Sequence, residues 1–126
     1  MTLTELKQRV LEKLGVLATG EAPVIGDATI VGDRYVSLHD MLITDGLVNW
    51  TNTEDIPSWA EEPISMLVAA FSLNEFGVPQ SRRQQIRMDG AYKLPSNQGG
   101  PSLAERQLRE QAAKNFVYYP QPAEYF

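Results

Sequence analysis

The chain has 126 residues, a net charge of −5 and no cysteine. This length predicts one domain with a buried core, and the absence of cysteine excludes disulfides, thiolate nucleophiles and cysteine-ligated metals. The acidic balance argues against a general nucleic-acid binder, but the charge is uneven: residues 1–79 carry four Lys/Arg against twelve Asp/Glu (−8), and residues 80–126 carry seven against four (+3).

The first predicted element is a helix over residues 3–14. Thr2 and Glu5 have the spacing of a capping box, and Gly15 stands where a helix stop is expected. The segment is amphipathic and charged rather than continuously apolar, so we do not interpret it as a signal peptide. Its apolar side chains recur at helical spacing: Leu3, Leu6, Val10 and Leu14.

A second helix is predicted after a loop at residues 16–26, which is rich in Gly and Pro. Asp27 is placed to cap this helix, and Gly46 is placed to end it. A strand over residues 28–31 is the alternative, but a helical apolar row favours the helix. That row consists of Val31, Tyr35, Leu38 and Leu42. Residues 47–55 read as an irregular link.

Residues 56–77 predict a central helix around which the rest of the chain is organised. Ser58 and Glu61 have capping-box spacing, whereas Pro63 predicts either a kinked first turn or a later start. Gly77 is expected to end the helix. Two apolar rows cover most of its circumference, as in a helix buried on several sides: Ala60, Ile64, Leu67, Val68 and Phe71, and Trp59, Met66 and Leu73.

The chemistry of the chain changes after Gly77. Residues 80–92 are rich in Arg and Gln and predict a helix with little to bury, followed by a flexible connector at residues 94–101. Ser102 and Glu105 form a third capping-box pattern. The helix that follows has a narrow row of small residues, which we interpret as a docking face: Ala104, Leu108, Ala112 and Phe116.

The predicted fold class is all-α, a small helical bundle with an extended C-terminal arm. We expect a helical domain at residues 1–93, followed at residues 94–126 by a linker, a helix and an aromatic arm. The predicted core residues are Leu6, Val10, Leu38, Leu42, Ile64, Leu67, Val68 and Phe71.

No residue pattern predicts catalysis, a metal site or a cofactor. His39 is the only histidine, and without a second histidine or a cysteine it predicts no zinc site and no catalytic triad. The chain has neither a phosphate-binding glycine motif nor a nucleophile elbow. We therefore expect a protein that is not an enzyme and has no cofactor.

Three arginines after the central helix suggest a basic patch: Arg82, Arg83 and Arg87. They could contact phosphates, meet the acidic face of a neighbouring subunit, or form a solvated face. We assign them, together with Trp59, to contacts between subunits.

The C-terminal segment, residues 116–126, is unusually aromatic for a free terminus. Its prolines favour an extended path, and aromatic side chains supply large contact area at low entropic cost. It either inserts into a groove of a partner or packs back on its own domain. The predicted arm residues are Phe116, Tyr118, Tyr119, Pro120, Pro122, Tyr125 and Phe126.

Three segments in this order resemble the small helical head-to-tail adaptors of tailed bacteriophages, also called head-completion, connector or tail accessory proteins. These segments are TELKQRVLEKLGV, a second helix ending in DGLVNW, and IPSWAEEPISMLVAAFSLNEFGVP, within residues 3–80. The chain departs from the family at SNQGG, where members often continue directly into another long helix.

The resemblance implies a helical protein that forms a dodecameric ring under the portal protein, in the neck of the virion. Such a ring helps to retain packaged DNA, which passes through without sequence-specific binding, and it offers a platform to the next tail or neck protein. The family docks on the portal through its C-terminal parts, which implies that role for the aromatic arm. No membrane partner is expected. One alternative is a small cytoplasmic DNA-binding or regulatory module that uses Arg82, Arg83 and Arg87, and a third possibility is a toxin–antitoxin or chaperone-like helical partner protein.

Overall fold

The helices of the computed structural model surround one central helix, as the sequence predicts. The structure describes residues 1–116, and this part of the chain is helical with no strand. Its five α-helices are α1 (Leu3–Leu14), α2 (Ile25–Thr44), α3 (Glu61–Phe71), α4 (Gln80–Gly90) and α5 (Leu103–Asn115). Three single 3₁₀ turns lie between them, at Ser58–Ala60, Leu73–Glu75 and Ser96–Gln98.

Helix α1 begins and ends as predicted. The Thr2 hydroxyl accepts from the Glu5 amide (3.1 Å), and the Glu5 carboxylate accepts from the Thr2 amide (2.8 Å), which completes the capping box. Gly15 ends the helix in the left-handed conformation at φ +77°. Since this conformation has almost no steric cost for glycine, Gly15 suits this position.

Helix α2 is confirmed, but it begins before Asp27. Val24 occupies the N-cap position without a side-chain cap, and Asp27 lies in the first turn, where its charge still favours the helix N-terminus. The strand alternative for residues 28–31 is wrong, because α2 runs without a break to Thr44.

Helix α3 begins later than its capping pattern predicts. Ser58 belongs to a 3₁₀ turn and caps nothing, while the Glu61 carboxylate binds the Met1 amino group at 2.7 Å. The predicted capping box is therefore wrong, because Glu61 has a charged partner elsewhere. Pro63 is the third residue of α3, where its missing N–H costs no helical hydrogen bond.

The core is built where α3 meets the other helices, since α3 contacts all four of them. Seven of the eight predicted core residues are buried in it. Phe71 is the exception: it is only partly buried at the edge, with the Arg34 guanidinium 5.8 Å from its ring centroid. The placement of Phe71 in the core interior is wrong: Phe71 is the last residue of α3 and packs against the edge of the core, whereas Val68 and Ala69 in the same turn are buried.

Helix α5 belongs to the same core. Ala104, Leu108 and Ala112 are buried and α5 packs on α3, so the interpretation of this row as a docking face is wrong. Small side chains let two helices approach closely, which explains why such a narrow row suffices. The core therefore continues across residue 93, where the sequence suggested a boundary.

Candidate functional site

The predicted arm lies almost entirely outside the described residues. Tyr118, Tyr119, Pro120, Pro122, Tyr125 and Phe126 belong to residues 117–126, which the structure does not describe. Phe116 is described, and its ring contacts the ring of Trp59 edge-on, with centroids 5.8 Å apart. The aromatic residue at the root of the arm is thus packed on the helical body.

Among the described residues, a series of edge-on ring contacts connects Tyr35 to Phe116. Edge-on contacts join Tyr35 to His39 (5.8 Å), His39 to Trp50 (6.4 Å), Trp50 to Trp59 (5.7 Å) and Trp59 to Phe116. This geometry is favourable for aromatic pairs beyond the apolar area they bury. Trp59, predicted as a contact between subunits, is therefore packed on both sides within its own chain.

Polar bonds fix the buried end of this series. The Trp50 indole N–H donates to the Tyr35 hydroxyl (2.9 Å), and His39 Nε2 donates to the Trp50 carbonyl (2.6 Å), since a carbonyl can only accept. Burial raises the pKa of the Tyr35 hydroxyl. His39 therefore serves to hold Trp50. Within residues 1–116, no group of three or more His, Cys, Asp or Glu could hold a metal ion.

Two of the three predicted patch arginines bind neighbours in their own chain, and the third does not. Arg82 donates to the Lys13 carbonyl at the end of α1 (3.3 Å), where a cation is favourable. Arg83 donates to the Leu73 carbonyl (3.1 Å) and the Asn74 side chain (2.8 Å). Arg87 is exposed and has no ion-pair partner among residues 1–116. Of the three, Arg87 is the one whose side chain has no hydrogen-bond or ion-pair partner in the described chain.

A polar cluster that sequence reasoning missed joins α2 to the segment after α4. The Asp45 carboxylate accepts from the Tyr92 hydroxyl and forms an ion pair with Lys93 (2.9 Å). The Tyr92 hydrogen bond is the main cause that lowers the pKa of Asp45, and burial, followed by this bond, raises the pKa of Tyr92. Glu105 extends the cluster by accepting from the Lys93 amide (2.7 Å). No local pattern marks these residues, because the pairs are far apart in sequence.

The surface of α2 carries an apolar row that was also missed. Ile25, Val36 and Ile43 are 85%, 40% and 48% exposed, and their spacings of eleven and seven residues correspond to about three and two helical turns. Asp33 and Asp40 lie beside this row, exposed and without an ion-pair partner in the described chain. We call these five residues the α2 outer face. The helical spacing of these residues could have predicted an exposed apolar face, but the prediction for α2 considered only its buried row.

A second surface of mixed character lies on α4. Met88 is 67% exposed and Arg87 precedes it. Both side chains line a cleft of about 410 Å³ together with Gln84, Leu94 and Gln98. We call these five residues the α4 outer face.

A cleft of about 530 Å³ lies where α1, α3 and α4 meet. Its walls combine Lys13, Arg82, Glu62 and Asp89 with Met66 and Ile86. Lys13 and Glu62 already bind each other at 2.8 Å, and Arg82 binds a backbone carbonyl. The charged groups are thus engaged in the fold, and the cleft presents no convergent set of free polar groups of the kind a small-molecule site uses.

No helix among residues 1–116 has the combined length and apolar character that a membrane span requires. Comparisons of the chain with protein-family models, with curated proteins and with solved structures found no match.

Proposed function

We propose that the protein is a head-to-tail adaptor of a tailed bacteriophage, a structural subunit of a dodecameric ring that docks under the portal. The ring helps to retain packaged DNA in the neck of the virion and provides the platform for the downstream tail or neck protein. The proposal rests on the sequence resemblance over residues 3–80, and the all-helical fold is the architecture that this resemblance implies.

The observation that carries the proposal is the contact between two segments of the resemblance. Trp50 ends the DGLVNW segment and Trp59 opens the central helix segment, and their rings meet at 5.7 Å. Ile56, which precedes Trp59 in the same segment, is also buried in the core. The shared motif thus forms one packed unit, as expected if the resemblance reflects a common fold rather than chance spacing.

The charge of the chain fits this role. A net charge of −5 favours passage of DNA through a ring without adhesion, because protein contacts to DNA depend mainly on cations that neutralise phosphates. The alternative DNA-binding module is not favoured, since Arg82 and Arg83 bind backbone carbonyls of their own chain.

The proposal is tested by mixing the protein with a purified portal ring and examining the complex by negative-stain electron microscopy and native mass spectrometry. An additional ring of density on one end of the portal is expected. A portal that stays bare at saturating protein would reject the proposal. Duplex DNA binding that falls steeply with salt would instead support the regulatory module.

A further inference from the structure

The α2 outer face carries exposed apolar side chains that are aligned along the helix. Ile25 and Ile43 are eighteen residues apart, which places them about 27 Å apart along one line of the helix. Val36 lies on the same line, so the row extends over most of α2. Exposed apolar patches with polar residues beside them mark interaction sites on soluble proteins, and Asp33 and Asp40 lie along one side of this row.

The acidic rim restricts what can cover this face. If α2 of one copy packed on α2 of another, Asp33 and Asp40 of both copies would share one contact, and apposed like charges are unfavourable. Lys7 approaches Gly32 on the α1 side, yet it forms no ion pair with either aspartate. The face therefore calls for a partner that presents a cation beside an apolar side chain.

The α4 outer face has that character. Met88 is the most exposed large apolar side chain of the described residues outside the α2 segment, at 67%. Arg87 stands next to it with a charge that no acid of the described chain neutralises. Methionine and arginine are both enriched at protein interfaces relative to the rest of the surface.

We infer that the α2 outer face of one copy packs on the α4 outer face of a second copy, with Arg87 between Asp33 and Asp40 and Met88 against Val36 and Ile43. The two faces use different residues, so the contact is heterologous, and each added copy leaves one face of each kind open for the next. The inference deepens the proposed function, on which it rests for its role, because a ring needs such a contact.

A charge exchange tests the contact without portal or DNA. Sedimentation velocity is measured up to ~1 mM, where even weak association is visible, for wild type, Arg87→Glu, Asp40→Lys and the combined variant. Each single variant is expected to weaken self-association by about ten-fold or more, and the combined variant to recover most of the loss. All the exchanged side chains are exposed, and circular dichroism verifies that the variants fold.

Arg106→Glu and Asp55→Lys are the matched controls, since these side chains are also exposed and form no ion pair in the described chain. Both are expected to associate like wild type. A monomer over the whole concentration range, equal weakening by the controls, or single variants that associate like wild type would overturn the inference. Portal binding is measured separately, so any of these three outcomes with portal binding intact rejects the inference and leaves the proposed function standing.

Discussion

Helix α4 approaches α3 closely at Gly90, the last residue of α4, and this close approach yields a sharp stability prediction. A Cβ atom built on Gly90 would lie 2.1 Å from the Met66 carbonyl oxygen and 2.7 Å from the Met66 carbonyl carbon of α3. Real Cβ contacts are longer than 3.0 Å, so Gly90→Ala must push α4 away by about 1 Å. The obstacle is backbone of the central helix, which cannot rotate aside as a side chain could.

Two opposing effects set the magnitude. Alanine is favoured over glycine in a helix by up to about 1 kcal/mol, whereas overpacking typically costs about 1–3 kcal/mol and more where the neighbour is rigid. With the cost at its upper end, Gly90→Ala is expected to lower the free energy of unfolding by about 2 kcal/mol. This corresponds to a drop in Tm of roughly 8 °C for a chain of this size.

Urea unfolding followed by circular dichroism measures the effect, with the slope of the transition expected to be unchanged. Gly26→Ala is the matched control, because Gly26 lies in α2 and its Cβ would meet nothing within 4 Å. That variant is expected to be neutral or stabilised by up to about 1 kcal/mol. If Gly90→Ala were as stable as Gly26→Ala, the reasoning about the α3–α4 approach would be refuted.

Three further predictions concern the core edge, the polar cluster and the arm. Phe71→Ala is expected to cost about 2 kcal/mol and the buried Leu67→Ala about 3–4 kcal/mol, because Phe71 is partly exposed; equal losses in urea unfolding would contradict this. Since the pKa of Asp45 is lowered in the fold from its ordinary value of 3.8, its stabilisation is present above that pH and is lost as the pH falls through the folded pKa. Tyr92→Phe is expected to raise the Asp45 pKa in an NMR titration, and an unchanged titration would exclude the hydrogen bond as the cause. Deletion of residues 117–126 is expected to leave Tm and helix content nearly unchanged and to abolish portal binding; an unfolded product would mean that the arm packs on its own core.

Local sequence patterns predicted the helices well because the interactions that form a helix join residues within four positions. The capping box of Thr2 and Glu5, the stop at Gly15 and the apolar row of α2 are such patterns, and the structure confirms them. The central position of α3 was also predictable, since apolar residues cover most of its circumference. Most of the core followed from these rows.

The tertiary structure determined which side chains are buried and which groups bind each other, because the groups in contact are distant in sequence. Ser58 and Glu61 do not form the predicted capping box, and the Glu61 carboxylate binds the Met1 amino group. Arg82 donates to the Lys13 carbonyl at the end of α1, sixty-nine positions away in the sequence. The roles of α5 as core and of Gly90 as a contact point follow from packing on α3. An apolar row in the sequence predicts that a helix has an apolar face. Whether that face is buried or exposed depends on where the other helices pack.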